Sequence, residues 1–151
     1  MKVVSACLAG INCKWNGKSN INKKIKEMIE KGEAMAACPE VLGGLSTPRK
    51  PAGIYGGLGE DVLSGKAKVR ASRDGEDMTS SFIRGAEEFL KLAQSKKIKT
   101  AILRNRSPSC GCGKTWQLDE NFKNHLINGD GVTTALLKKN GIKVYTEENF
   151  K

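Results

Sequence analysis

The sequence predicts a single-domain, doubly wound (Rossmann-like) α/β fold with a mostly parallel sheet and helices on both faces. Short apolar strands alternate with amphipathic helices along the chain, which is the pattern of folds built from strand–helix–strand units. The chain of 151 residues is long enough for one hydrophobic core without cross-links. No repeat, low-complexity tract or linker divides it, so we expect one domain over residues 1–151.

Each predicted element has its own signal. Strands are short apolar runs, whereas helices carry apolar residues at three-to-four spacing and end at glycine or Asn-Gly. A β-hairpin alternates apolar and polar residues around a Ser-Gly turn. In chain order, the predicted elements are a strand at 2–6, a helix at 21–31, a strand at 33–37, a hairpin at 60–71 on the margin of the sheet, a long helix from 77 or 79 to about 96, a strand at 99–103, a helix from Val132 closed by Asn140-Gly141, and a last strand at 142–145. The stretches 39–59 and 104–130 are predicted as loops, and the first is long enough to be functional.

Composition favours an anionic partner and a reducing compartment. The 26 Lys and Arg residues against 16 Asp and Glu give a formal charge of +10, which attracts nucleotides and nucleic acids. Basic residues in the cysteine-containing loops are candidates to hold a phosphate: Lys14, Lys18, Arg49, Lys50, Arg104 and Arg106. We find no leader and no apolar run of the ~20 residues that cross a bilayer, so we expect a cytoplasmic protein without a membrane partner. Five cysteines in that compartment are more typical of metal ligands or reactive thiols than of disulfides.

Three of the five cysteines follow predicted strands: Cys7, Cys38 and Cys110. If these strands are parallel neighbours, the thiols emerge at one carboxyl edge of the sheet, which predicts one shared metal or cluster site. Zinc sites usually use paired C-x2-C motifs, which this chain lacks, so a structural zinc protein without catalysis is the weaker alternative. A [4Fe-4S] cluster accepts thiolates from separate loops, and three ligands would leave one iron open to a sulfur donor.

Three motifs closely resemble the DUF523 family, whose characterised members are thiouracil desulfidases. They are Cys7-Leu8-Ala9-Gly10, Cys38-Pro39-Glu40-Val41-Leu42-Gly43-Gly44-Leu45 and Ser107-Pro108-Ser109-Cys110-Gly111. The resemblance covers essentially the full length of the chain. Cys112, just beyond the third motif, is not a usual residue of the family.

The resemblance implies the chemistry of the site. Cys7, Cys38 and Cys110 would bind a [4Fe-4S] cluster, and Glu40 and Ser107 match the family's catalytic polar positions. Water would attack the thiocarbonyl carbon while sulfur passes to the open iron, so the reaction is non-redox and gives the oxo base and hydrosulfide. The implied substrate is thiouracil, thiouridine or thiouridine monophosphate. Desulfidation of thiouridine within tRNA, or RNA binding without catalysis, is an alternative consistent with the positive charge.

Several of these residues also have a purely structural interpretation. Cys13 fits a small buried hydrophobe as well as a neighbour of the ligands. Trp15 and Trp116 are expected in the core rather than stacked on a base. Glu40 could form an ion pair with Arg49, although the motif favours a catalytic role.

Overall fold

Two four-stranded sheets and five α-helices form the fold of residues 1–150, which the computed structural model describes. The elements in chain order are β1 (Lys2–Ser5), a 3-10 helix (Ala6–Ala9), α1 (Lys23–Glu30), β2 (Ala34–Ala37), α2 (Pro39–Leu42), β3 (Ala52–Tyr55), α3 (Gly59–Leu63), β4 (Lys68–Ala71), α4 (Thr79–Ser95), β5 (Thr100–Leu103), β6 (Lys114–Leu118), β7 (Asn124–Asn128), α5 (Val132–Lys139) and β8 (Lys143–Thr146). The α/β class with mostly parallel pairing is therefore confirmed.

The first sheet is entirely parallel, with strand order β2-β1-β5-β8. Successive side chains of β1 point to opposite faces, as strand geometry requires. Val3 packs with Phe89 of α4 and Leu137 of α5, whereas Val4 packs with Ile25 of α1. The sheet therefore has helices on both faces, as the sequence predicts.

The second sheet has the order β4-β3-β6-β7 and mixed pairing: β3 is antiparallel to β4 and parallel to β6, and β6 is antiparallel to β7. Strands β3, β6 and β7 lie in the two stretches predicted as loops. The hairpin predicted over 60–71 is wrong, because 59–63 form a helix and β4 pairs with β3 instead. A five-residue helix is too short to show the helical spacing of apolar residues. The buried Val62 therefore fits the alternating apolar pattern of a strand equally well.

Helix α4 joins the two sheets. Its first half, including Phe82 and Ala86, packs on the second sheet, and its second half, including Phe89 and Ala93, packs on the first. All four side chains are at most 1% exposed, so α4 contributes to both cores at once. None of the helices within residues 1–150 combines the length and apolarity that a membrane span needs.

Candidate active site

The three strands that precede Cys7, Cys38 and Cys110 are parallel neighbours in the order β2-β1-β5. Cys7 lies in the 3-10 helix that follows β1, and Cys38 directly follows β2. Cys110 lies in the loop after β5. The carboxyl edge of one sheet therefore brings together three cysteines that are far apart in sequence.

We call the space between these thiols the inner chamber. It encloses about 30 Å³, and its wall is formed by Ser5, Ala6, Cys7, Cys13, Lys14, Cys38, Pro39, Glu40, Arg104, Ser107 and Cys110. Cys13 thus belongs to the same wall as the three predicted ligands. Its thiol contacts those of Cys7 and Cys38, and the Cys38 thiol donates a 3.8 Å hydrogen bond to the Cys13 carbonyl.

Three thiols of the chamber, those of Cys13, Cys38 and Cys110, have raised pKa values. Burial raises the pKa of Cys110 to about 12, against a hydrogen bond from Ser5 that lowers it. The pKa of Cys38 is raised by hydrogen bonding with Cys13 and by burial. For Cys13, hydrogen bonding with Cys38 lowers the pKa, but hydrogen bonding with Cys7 and burial outweigh it and raise the pKa to about 11. Metal binding must therefore release protons from these side chains.

The donor set of the chamber fits a polynuclear cluster better than a single metal ion. Within residues 1–150, no group of three His, Cys, Asp or Glu side chains converges closely enough to hold one ion, which is what a zinc site requires. Thiols that surround a space suit a cubane, because each thiolate binds a different iron.

The loop that carries Cys110 is fixed by the N-terminal end of α5. The amides of Val132 and Thr133 donate 2.8 and 2.9 Å hydrogen bonds to the carbonyls of Pro108 and Ser109, and the Thr134 hydroxyl donates to the Cys110 carbonyl at 2.8 Å. These bonds satisfy helix amides that have no partner within the helix. They place the Cys110 thiol rigidly over the edge of the first sheet.

Ser107 closes the turn of the same loop. Its Oγ accepts hydrogen bonds from the amides of Ser109 at 3.1 Å and Cys110 at 2.7 Å. Ser107 thus satisfies two amides of the turn, as serine commonly does beside proline. Because both bonds use the oxygen as acceptor, the hydroxyl proton stays free to be donated elsewhere.

Glu40 lies in α2, which is held close to α4. A Cβ atom at Gly43 or Gly85 would overlap the backbone of Ser81 or Pro39, so glycine at both positions permits this approach. The Glu40 carboxylate is bound through Oε2 to Arg49 at 2.5 Å. The predicted ion pair therefore exists, and it leaves Oε1 unengaged.

Arg49 connects three segments of the site. Its guanidinium also donates a 2.8 Å hydrogen bond to the Cys13 carbonyl and 3.2 Å bonds to the Ser46 carbonyl and the Thr47 hydroxyl. The side chain is only 4% exposed. A buried arginine with this many partners fixes the relative positions of Glu40 and the loop that follows Cys7.

A second space, which we call the outer cavity, adjoins the inner chamber and encloses about 430 Å³. Its wall consists of Lys14, Trp15, Asn16, Glu40, Lys50, Pro51, Ala52, Arg104, Ser107, Pro108, Trp116 and Asn124. The expectation that both tryptophans belong to the core is wrong. Trp15 is 38% exposed and Trp116 is half-buried, and β6 presents Trp116 to the cavity.

The structure separates the basic residues of the cysteine-containing loops into paired and unpaired groups. Arg49 is bound to Glu40, while Lys50 and Arg106 pair with exposed carboxylates. Lys14 and Arg104 line both spaces and form no ion pair within residues 1–150. Burial and the neighbouring Arg104 charge lower the pKa of Lys14. Two adjacent cations without a carboxylate partner form an anion-attracting wall.

Two features of the site were not evident from the sequence. Cys112 lies outside the inner chamber, with its thiol donating to the Val144 carbonyl at 3.7 Å. Ser5 lies inside it, although it belongs to a strand that the sequence identifies only as apolar. The sequence does offer one signal: Ser5 is a polar residue in an apolar strand, and a buried hydroxyl needs hydrogen-bond partners. Trp116 and Asn124 had no such signal, since their strands were not predicted.

The chain is similar to known proteins over nearly its whole length. The sequence pattern of the 2-thiouracil desulfurase family matches residues 3–149. The uncharacterized protein YbbK of Bacillus subtilis (strain 168) is 45% identical over 150 residues, which are 99% of this chain and 97% of that protein. The solved structure of the [4Fe-4S]-dependent thiouracil desulfidase TudS (DUF523Vcz) superposes with a TM-score of 0.81 and 38% identity, over 97% of this chain and 89% of that one.

Proposed function

The chain belongs to the 2-thiouracil desulfurase family, and on that premise we propose that it is a [4Fe-4S]-dependent desulfidase. The reaction replaces the sulfur of a thiolated pyrimidine with oxygen from water. It breaks one C=S bond, forms one C=O bond and releases hydrosulfide without a change of oxidation state. We expect it to work in a reducing cytoplasm, where its five cysteines, none of which forms a disulfide, stay reduced.

The observation that carries this proposal is the shared wall between the inner chamber and the outer cavity. Glu40 and Ser107, together with Lys14 and Arg104, line both spaces. A pyrimidine in the outer cavity would therefore have its thiocarbonyl group directed toward the thiols. Cys7, Cys38 and Cys110 are the proposed ligands. When bound, the cluster supplies an iron with an open position that accepts sulfur.

Glu40 is the proposed general base. Arg49 holds Oε2 at 2.5 Å, so Oε1 is the atom that can take a proton from the attacking water. A base must stay within hydrogen-bond reach of that proton, which requires a fixed carboxylate. The contact between α2 and α4 and the ion pair with Arg49 together provide this.

Ser107 is the proposed donor to the substrate. The amides of Ser109 and Cys110 occupy its oxygen as acceptor, so its remaining proton is available to a ring atom or to the oxygen of the incoming water. Such a donor orients the base and stabilises negative charge that develops during attack.

A nucleotide is the substrate form that the charge distribution favours. The outer cavity of about 430 Å³ falls within the size range of small-ligand sites. Lys14 and Arg104, which form no ion pair within residues 1–150, offer positive charge beside the base site, which suits one phosphate group. We therefore propose thiouridine monophosphate ahead of the free base or nucleoside.

The test is an anaerobic assay of reconstituted protein with thiouracil, thiouridine and thiouridine monophosphate. Hydrosulfide release is measured together with loss of the thiocarbonyl absorbance. We expect turnover only in protein that contains iron and sulfide, with the highest kcat/KM for the monophosphate. Zinc without iron, or iron-loaded protein that turns over none of the three compounds, would contradict the proposal.

A salt series separates a mononucleotide substrate from thiolated tRNA. Binding to many phosphates falls steeply with salt, whereas binding to one phosphate changes little. We expect a shallow salt dependence of KM with the monophosphate and no faster turnover of thiolated tRNA. A steep dependence together with efficient tRNA turnover would favour the tRNA-level activity instead.

A further inference from the structure

Ser5 connects the first sheet to the cysteine that arrives from the most distant part of the chain. It is the last residue of β1 and is 2% exposed. The backbone amide of Arg104 donates to its Oγ at 2.9 Å, and the same Oγ donates to the Cys110 sulfur at 3.4 Å. Within residues 1–150 the hydroxyl has no other hydrogen-bond partner.

These two hydrogen bonds define what the Ser5 hydroxyl can donate to. The Arg104 amide occupies an acceptor position of the oxygen, and a buried hydroxyl that donates to nothing is unfavourable. The proton is therefore directed at the Cys110 sulfur. Ser5 pairs with Ala37 of β2, and the two residues before it pair with β5, so the sheet holds the hydroxyl in this direction.

A hydrogen bond to a ligand sulfur changes the metal group that the sulfur holds. It draws electron density from the thiolate, so the thiolate donates less to iron. Hydrogen bonds to the sulfurs are one of the factors that set the reduction potential of iron–sulfur clusters. A more electron-poor iron is also a stronger acceptor of sulfur.

We propose that Ser5 is a positioning residue that orients the Cys110 sulfur and, through its hydroxyl, raises the reduction potential of the bound cluster. The inference rests on the proposed function only in requiring that the cluster binds. Ser5 lines the inner chamber but not the outer cavity, so its effect would reach the reaction through Cys110.

The experiment measures the midpoint potential of anaerobically reconstituted Ser5→Ala by redox titration, with iron and sulfide counted per chain. We expect a shift to more negative potential at unchanged cluster content. Thr146→Val is the matched control, because it removes a buried hydroxyl at the carboxyl end of β8 that accepts from the Glu148 amide. Its potential should equal that of the wild type. An unshifted potential in Ser5→Ala would overturn the inference.

If Ser5→Ala holds no cluster, a second pair of variants tests the same inference. Ser5→Thr and Ser5→Val have nearly the same shape and differ in the hydroxyl. We expect the wild-type potential in Ser5→Thr and a negative shift in Ser5→Val, and equal potentials in the two would contradict the role of the hydroxyl. Wild-type protein that assembles no cluster would overturn the proposed function, whereas loaded variants without a shift would overturn this inference alone.

Discussion

The two sheets of the molecule contribute differently to the candidate active site. The parallel sheet supplies the thiols, which follow β1, β2 and β5 at one buried edge. The mixed sheet supplies part of the outer cavity, through Ala52 of β3, Trp116 of β6 and Asn124 of β7. Under the proposed function, the first sheet carries the cofactor ligands and the second sheet adds contacts to the substrate.

The difference also shows in the surroundings of each side chain. The thiol-bearing segments are tied down by backbone and side-chain hydrogen bonds, such as those from α5 to the loop before Cys110. Trp116 is half-buried, and the Asn124 Oδ1 atom is buried without a hydrogen-bond partner. Changes at the first edge should therefore remove the cofactor, whereas changes on the second sheet should weaken substrate binding.

The largest effect is expected from Cys38→Ser. Loss of one of three ligands removes the cluster, so both the brown colour and the activity should disappear, as they should for the same change at Cys7 or Cys110. The measurement is iron and sulfide per chain after anaerobic reconstitution. Cys112→Ser is the control and should keep both properties, since its thiol lies outside the inner chamber. Loss of the cluster in that control would show that the ligand set is wrong.

Glu40→Gln should separate chemistry from cofactor binding. Glutamine keeps an oxygen acceptor for Arg49 but cannot take a proton, so kcat should fall by about 10²–10⁴-fold, the usual contribution of a general base. Iron content and KM should stay close to wild-type values. Steady-state kinetics with a metal analysis of the same sample provides the check, and an unchanged kcat would remove Glu40 from the mechanism.

Gly85→Ala tests the packing that links α4 to α2. A methyl group there would overlap the Pro39 backbone, so we expect a loss of about 1–3 kcal/mol in the free energy of unfolding, typical of an overpacked contact. Glu87→Ala, at an exposed position of the same helix, is the control and should leave stability nearly unchanged. Equal unfolding midpoints in denaturant would show that α2 is not held in this way.

The smallest effect is expected from Trp116→Ala on the second sheet. Loss of a stacking surface should raise KM about tenfold, equivalent to roughly 1.4 kcal/mol, with kcat and iron content unchanged. Trp116→Phe should restore most of the binding because it keeps an aromatic face. A fall in kcat at constant KM would show that Trp116 acts in the reaction step rather than in substrate binding. The proposed difference between the two sheets would then be wrong.

The same division explains what the sequence could predict. The sequence predicts all four strands of the parallel sheet, β1, β2, β5 and β8, from short apolar runs that helices separate. Only the ends of these strands differ slightly between prediction and structure. Cys7, Cys38 and Cys110 come together only if the strands before them are neighbours in the sheet. The strand order β2-β1-β5 confirms that they are. β1 and β5 are buried on both faces, so their apolar pattern is strong.

Apart from β4, whose Val69 and Ala71 alternate with polar residues, the strands of the second sheet could not be predicted because they lack that pattern. β3 contains Gly53, where a Cβ would overlap the Asn124 side chain, and β7 is mostly exposed with little alternation. Strands of this kind are specified by their partners rather than by their own residues. The position of Trp116 in the outer cavity depends on such long-range contacts.

The most direct test of the central claim is iron-edge anomalous diffraction from crystals grown and frozen without oxygen. We expect four iron positions at the inner chamber, three bound by Cys7, Cys38 and Cys110 and the fourth without a protein thiolate. A fourth bond from Cys13, or a single metal ion in place of four irons, would contradict this ligand set.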